Sequence, residues 1–492
     1  MAHGNSGGTL YGDTNILGSG TGVFNASIGT FNSILKEFYI GPVQDQLNQE
    51  VFVVEMFEKA TVDWNGKYCI IPVHTGRNTS VEFVADGDAL SPTIGNQTFN
   101  SLQVRAKFLY GQFQVTGPAI SAAAKGSTNS FISYVDAEMT KLVDDVRDQA
   151  NVASVTGGRV KGFISNRGTV LTGTGAAQVT GTIGSFSTAV TVVYDGDFAP
   201  FADCVDATNS TWIRVRLVSM DTYAELVDST ADAGFNIFVS LASEAAGTIN
   251  LRYGIDAATA STVTLNAVDP FATAVVLHDQ RADDSAAAAL GTVPTGASGN
   301  YETSTETTGI FGNLGDPNHF SVDRTDATGG VANASLQSRV VSMDTDATVT
   351  RLDLTLTRIQ TVFDNVLRTS GKEPNQILMN ALQRQKYMAL LGQFINSQAD
   401  KATKGDGGFL GLSYGGVPIE TSRAISNGCM AFLSTDSWKL CELEKPGFAD
   451  LDGNVLSRTG TSDAYQGYYR WYWNVVCTQP NANAILVGLT LS

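Results

Sequence analysis

Gly411-Leu412-Ser413-Tyr414-Gly415 has the G-x-S-x-G spacing that sets a nucleophilic serine on a strand-to-helix elbow, and Gly4-Asn5-Ser6-Gly7-Gly8 shares it. That elbow needs a strand before the serine, a helix after it and a histidine further along the chain. Gly416-Val417-Pro418 follows Ser413 and bars the helix, and the last histidine is His319. Both stretches therefore read as glycine-rich turns. His3, His74, His278 and His319 lie too far apart for an H-E-x-x-H pair, and each is expected on the surface or in a loop. Asp86-Gly87-Asp88, Asp195-Gly196-Asp197 and Asp344-Thr345-Asp346 place carboxylates as calcium ligands would. None runs on to the glutamate of an EF-hand loop, and Asp-Gly turn chemistry explains them. No phosphate-loop signature occurs, and Gly18-Ser19-Gly20-Thr21-Gly22 has no strand ahead of it. The aromatic run Tyr468–Trp473 fits either a base-stacking platform or the packed faces of a β-hairpin, and alternation favours the hairpin. No catalytic, cofactor-binding or metal-ligating residue is expected, and no enzyme.

The composition narrows the remaining classes. Of 492 residues, 43% are hydrophobic, enough for a sizeable core. Only 16% are charged, against a usual share of roughly 25%. With 50 glycines and many Ser, Thr, Asn and Ala, the chain reads as large, β-rich and neutral-surfaced. No apolar run reaches the about 18 residues of a membrane span. The start, Met1-Ala2-His3-Gly4-Asn5-Ser6-Gly7-Gly8, has neither a basic nor an apolar region, so no signal peptide is expected. Cys69, Cys204, Cys429, Cys441 and Cys477 are odd in number and far apart. They read as small core hydrophobes in a reducing compartment.

A net charge of −17 makes general nucleic-acid binding unfavourable, because that affinity comes from neutralising phosphates. The acid is uneven. Residues 160–350 hold 8 Lys/Arg against 21 Asp/Glu, a net of −13, which leaves −4 for the rest. No lysine occurs between Lys161 and Lys372. A nearly neutral frame thus surrounds an acidic, lysine-free middle, the mark of an insertion.

The elements follow from periodicity. Residues 1–30 read as an extended arm, with short helices near Phe31–Phe38 and Val43–Phe57. Tyr68–Val73 and the alternating Leu102, Val104, Ala106, Phe108 and Tyr110 are strands, and a bend is expected at Gly111. Together 67–116 read as one long hairpin with an irregular tip, which two strands alone cannot stabilise. Phe131, Val135, Met139, Leu142, Val146 and Ala150 mark a long helix closed by Gly157-Gly158. From 160 to 280, strands are expected at Ala189–Tyr194, Thr211–Val218, Phe235–Leu241, Thr248–Tyr253, Ser261–Ala267 and Ala274–Leu277, a small barrel or sandwich. A helical turn is expected near Tyr223–Val227. Then come a helix over Asp353–Leu367, a strand at Gln376–Met379, a helix over Ala381–Phe394 and short strands near Gly416–Glu420 and Gly428–Leu433. A closing hairpin ends the chain.

In this order of parts, over about residues 30–490, the chain resembles the major capsid proteins of tailed bacteriophages, the Hong Kong 97 type fold shared with encapsulins. The resemblance implies an α+β capsid fold. Residues 1–60 would be the N-terminal arm, 61–118 the extended loop that lies on a neighbour, and 119–159 the peripheral domain with its spine helix. Residues 160–285 would be an inserted, outward-facing β-barrel or sandwich, 286–463 the axial domain and its connections, and 464–492 the returning β-hairpin of the peripheral domain. It further implies a structural protein that self-assembles as homo-hexamers and homo-pentamers around double-stranded DNA. The implied setting is the virion capsid, assembled in the host bacterial cytoplasm. Portal, scaffolding and decoration proteins are the implied partners; no cofactor and no membrane are implied. Arg77, Glu82, Asp86 and Asp88 at the loop tip are the expected inter-subunit contacts. Some family members crosslink through a loop lysine. Gly76–Asn100 has no lysine, Arg77 being its one basic residue, so that chemistry is not expected here, nor is a charged helical leader ahead of the arm. An encapsulin-like compartment, a β-rich adhesin or an unfamiliar enzyme are the alternatives.

Overall fold

A computed structural model describes residues 52–59, 64, 66–78, 80, 81, 83, 85, 86, 95–118, 128–165, 190–202, 213–220, 223, 235–255, 273–277, 305–324, 334–342, 351–395, 412–450, 456–458 and 462–491. They fall into two compact units. The first draws its described residues from Gly111–Leu142 and Phe448–Tyr469; the second spans Leu47–Tyr110, Val143–Gly447 and Arg470–Ser492.

In the first unit, Phe448 meets Phe113 and Tyr469 edge-on, at centroid separations of 6.5 and 5.0 Å. The Gly117 amide donates to the Asp463 carbonyl at 2.7 Å. A short strand, Ser457–Arg458, pairs antiparallel with Tyr465 and Gln466.

The second unit is built on a six-stranded mixed sheet. Its order is Arg339–Ser342, Ala484–Val487, Met430–Leu433, Gln376–Met379, Val417–Thr421 and Leu412–Tyr414. The three central strands are buried along their whole length, which is why they read as continuous apolar runs. Helix Leu356–Ser370 covers one face with Ile359, Val362, Phe363 and Val366. It begins and ends three residues later than the expected Asp353–Leu367, where its caps set the bounds. The Thr355 hydroxyl accepts from the Arg358 amide, and Gly371 closes the helix in the left-handed region.

Strands Val160–Ile164, Val190–Gly196, Ile213–Ser219, Phe235–Ser243, Thr248–Ile255 and Thr273–Leu277 close into an antiparallel barrel. Closure leaves no edge to pair with other chains. Five of these strands match the expected ones. The sixth, Val160–Ile164, is buried at every residue and so shows no alternation to read. The expected strand Ser261–Ala267 lies outside the described residues, as do the arm and the helix at Phe31–Phe38. Tyr223, placed in a helical turn by sequence, is left-handed with φ 57°. The barrel packs on other strands of its unit. Val160, Phe163, Val218, Ala274 and Val276 share one apolar cluster with Trp438, Trp473 and Ile485.

Two expected hairpins come out differently. Tyr68–Gly76 does pair with Thr98–Arg105, but the break falls at Ala106 and not at Gly111. Strand Lys107–Thr116 then leaves the hairpin and pairs with Ala464–Cys477. The phase flips there: Leu102, Val104 and Ala106 are buried, whereas Phe108 and Tyr110 are exposed. At the C-terminal end, Ala464–Cys477 and Ala484–Val487 join different sheets and do not pair with each other. The 3-10 turn Pro480–Ala482 between them redirects the chain. Strand Trp438–Phe448, absent from the sequence reading, lies beside Ala464–Cys477.

The long helix runs Thr128–Thr156 and buries Val146 and Ala150. Gly157 and Gly158 end it for two reasons. A Cβ on Gly157 would meet the Ala153 and Thr307 carbonyl oxygens at 2.1 and 2.5 Å, and Gly158 has φ +83°. Helix Leu356–Ser370 owes its place to apolar packing, so Ile359→Ala should cost about 2–5 kcal/mol. The check is the urea midpoint of the purified chain, which should fall, while the exposed Thr357→Ala leaves it nearly unchanged.

Candidate functional site

The residues first weighed for chemistry sit in structural roles. Ser413 is exposed on the short strand Leu412–Tyr414, and its carbonyl accepts from the Tyr387 hydroxyl at 2.8 Å. The turn at Gly415 and Gly416, both with positive φ, returns the chain into a strand where an elbow requires a helix. His74 is exposed and bonds Gln97 at 2.6 Å. Among the described residues no group of three or more His, Cys, Asp or Glu could hold a metal ion. His3, His278, Asp344 and Asp346 lie outside the described residues.

His319 departs from expectation, being buried. Its Nδ1 accepts from the Arg324 guanidinium at 2.8 Å, so its Nε2–H donates to the Cys477 carbonyl at 2.7 Å. Burial first, and then the Arg324 cation, hold its pKa well below the ordinary value and keep the ring neutral. Arg324, itself fully buried, donates to the Asn313 and Leu314 carbonyls and to the Tyr223 hydroxyl. Asn313 adds a bond to the Val475 carbonyl and accepts from the Cys477 amide. These contacts tie Tyr223, helix Gly309–Gly315 and the segment from His319 to Arg324 to strand Ala464–Cys477.

The second pair of acidic residues is split in the same way. Asp195 is buried on the barrel strand Val190–Gly196, where it meets Arg351 and accepts from the Gly488 amide at 2.8 Å. Arg351 also donates to the Tyr194, Gly247 and Leu489 carbonyls. Burial pushes the Asp195 pKa up, and Arg351 pulls it back. Gly428 lies so close that a Cβ there would collide with both Asp195 and Arg351. Asp197 accepts from the Ala199 amide at 3.0 Å. A cavity of about 580 Å3 opens beside this pair, walled by Tyr194, Asp197, Glu244, Arg351 and Arg423. The two arginines on its wall are engaged, Arg351 by Asp195 and Arg423 by Asp148.

The hairpin offers the surface with work left to do. Its inner face, Cys69, Ile71, Val73, Leu102 and Val104, packs on Phe320, Cys441 and Val476. Its outer face leaves Ile70 at 42% and Phe99 at 67% exposure. Beyond it, Val81 is 85% exposed and Phe83 fully so. Of the expected contact residues, Arg77 and Asp86 are exposed in the tip region, while Glu82 and Asp88 lie outside the described residues. The charges were legible in the sequence; the apolar pair Val81 and Phe83 was missed because residues 74–100 read as polar. The alternation Val81-Glu82-Phe83 was the available signal. A second strip joins the exposed Phe108 and Tyr110 to the half-buried Tyr472, whose hydroxyl meets that of Tyr110 at 2.7 Å. Trp471 and Trp473, on the opposite face, are buried and stacked at 4.7 Å. The aromatic run is therefore half core, as alternation suggested. No helix among the described residues is long and apolar enough to cross a membrane.

Comparison with known proteins adds one finding of family. Residues 280–490 match the family model described as SU10 major capsid protein. The resemblance to tailed-phage major capsid proteins is met over that stretch, which is less than half of the chain. No curated protein matches. Among solved structures, the chain is similar to the cyanophage A-1(L) capsid asymmetric unit, with 11% identity and a TM-score of 0.48, covering 94% of this chain and 99% of that one. A Gordonia phage Cozz structure is matched at 9% identity and a TM-score of 0.39, covering 94% of each chain. The holo-SrpI encapsulin complex of Synechococcus elongatus PCC 7942 is matched over 28% of this chain and 51% of that one, at 16% identity and a TM-score of 0.21.

Removing Arg351 leaves a buried carboxylate unpaired, so Arg351→Met should cost about 3–5 kcal/mol near neutral pH. The sign with pH follows from Asp195, whose folded pKa lies above the ordinary 3.8 and would rise further in the variant. The loss should be smallest in acid, where Asp195 is protonated, and grow as pH rises through that raised value. Denaturant midpoints of both proteins at several pH values check it; a loss that does not depend on pH contradicts the buried-charge account.

Proposed function

We propose that the chain is the major capsid protein of a tailed phage, a structural protein and not an enzyme, whose copies form the shell of a virion. The match of residues 280–490 to a major capsid protein family carries this reading. The hairpin supports it on physical grounds. Its base is anchored by one apolar face, while Val81, Phe83 and Phe99 stay exposed. Large apolar side chains gathered on one projecting element mark a docking surface. Identical copies are the simplest partners, because a patch meeting a different patch on the next copy closes into rings.

In its finer form the proposal has homo-hexamers and homo-pentamers forming a closed shell around double-stranded DNA, assembled in the host bacterial cytoplasm. Portal, scaffolding and decoration proteins are its further partners. Residues 1–60 act as the arm, 61–118 as the loop reaching a neighbour, 119–159 with 464–492 as the peripheral domain and 286–463 as the axial domain. Residues 160–285 form the added β domain, which carries most of the acid. Arg77, Glu82, Asp86 and Asp88 register the loop on its neighbour, since rim charges steer more than they hold. Val81 and Phe83 supply the apolar anchors.

Recombinant full-length chain, concentrated and viewed by negative-stain electron microscopy, should show closed shells; a stable monomer at all concentrations contradicts the proposal. Deleting residues 78–98 should leave a folded chain, with an unchanged circular dichroism spectrum, that no longer assembles. Normal shells from that deletion would remove the loop from the assembly account.

A further inference from the structure

Four of the five cysteines lie among the described residues, and all four are buried. Two of them lie together. Cys69 stands on the first hairpin strand, opposite Val104, and Cys441 stands on the long strand Trp438–Phe448. Both thiols lie in one apolar cluster with Leu102, Val104 and Val476, near enough for each to shift the other's pKa. The other two are engaged elsewhere. Cys429 bonds the Ser426 carbonyl at 3.5 Å, and Cys477 receives the Asn483 amide at 3.4 Å. The thiol pair thus spans the seam between the hairpin base and the body of its unit.

We propose that Cys69 and Cys441 are a modification site: they form a disulfide on exposure to an oxidising medium and staple the hairpin base to strand Trp438–Phe448. The oxidant is a small-molecule disulfide of the glutathione class. The Cys69 thiolate attacks one sulfur of that disulfide, forming a mixed disulfide and releasing one small thiolate. Cys441 gives its proton to solvent and attacks the Cys69 sulfur, releasing the second. Two protein thiols and one small disulfide become one protein disulfide and two small thiols, with two electrons passing to the oxidant. The two pKa values set the order of attack. Cys441 lowers the Cys69 pKa, while Cys69 and burial push Cys441 up.

Compartment gives the bond its timing. Cytosolic thiols are kept reduced, and disulfides persist outside the cell. That part of the inference rests on the capsid reading: the hairpin stays unlinked during assembly and becomes linked after release. Both residues are at most 1% exposed, so the oxidant enters only as the hairpin base opens, and linkage should be slow.

The test uses the full-length chain. It is incubated with oxidised glutathione, unfolded in guanidinium with iodoacetamide present, digested and mapped by mass spectrometry without reductant. The expected result is a peptide carrying Cys69 linked to one carrying Cys441, lost on adding dithiothreitol. Oxidised protein should also melt several degrees above reduced protein, a shift that Cys69→Ser and Cys441→Ser abolish. Alkylation of both cysteines, or either one found on glutathione or on another cysteine, overturns the proposal. Particle formation is scored separately by electron microscopy. Particles without the linkage defeat the disulfide alone; the linkage without particles defeats the capsid reading alone.

Discussion

A two-stranded ribbon has two faces and can lay only one of them on its own chain. That constraint governs the hairpin Tyr68–Gly76 with Thr98–Arg105. Its inner residues are spent on Phe320, Cys441 and Val476, while Ile70 and Phe99 look outward and Val81 and Phe83 extend past the paired residues. Apolar area left in water is free energy still to be gained. The seat beneath the ribbon has to hold its base firmly for the tip to be presented in one place. Much of the second unit serves that seat: the Ser321 hydroxyl bonds the Ser101 carbonyl at 2.7 Å, and Asn474 donates to the Arg105 carbonyl at 2.9 Å.

Buried charge gives this seat its definition. Asp195 and Arg351 join the barrel to Gly488 and Leu489, just past strand Ala484–Val487 of the six-stranded sheet, and Arg324 with His319 joins Tyr223 and helix Gly309–Gly315 to strand Ala464–Cys477. Such pairs add little net stability over apolar packing, yet breaking one is costly because an unpaired charge remains. They therefore penalise alternative placements of the barrel more than they favour the present one. The acid excess of the middle segment reads differently in this light: at Asp195 part of it is a buried fastener and not surface charge.

The fold was legible wherever a local pattern sufficed. Helix Leu356–Ser370 shows its apolar stripe in sequence, although the expected bounds, Asp353–Leu367, fall three residues early at each end, and strand Gln376–Met379 stands at its expected residues. Partnership was not legible. Nothing local to Lys107–Thr116 says that it abandons the hairpin for Ala464–Cys477, because a strand's pattern reports its buried face and not its neighbour. Val160–Ile164 was hidden for the opposite reason, since total burial erases alternation. At the tip, Arg77 and Asp86 could be picked out as charges, whereas Val81 and Phe83 gain their meaning only once the structure leaves them uncovered. Cys69 and Cys441, remote in sequence, are brought into one apolar cluster by tertiary structure alone.

Amide hydrogen exchange at residues 78–90, compared between assembled particles and dissociated chain, tests the account most directly. If the tip is completed by a neighbour, those amides should exchange freely in the dissociated chain and be strongly protected in the particle, while the six-stranded sheet is protected in both. Equal, fast exchange of the tip in both states would contradict it, because the exposed apolar side chains would then have no partner in the shell.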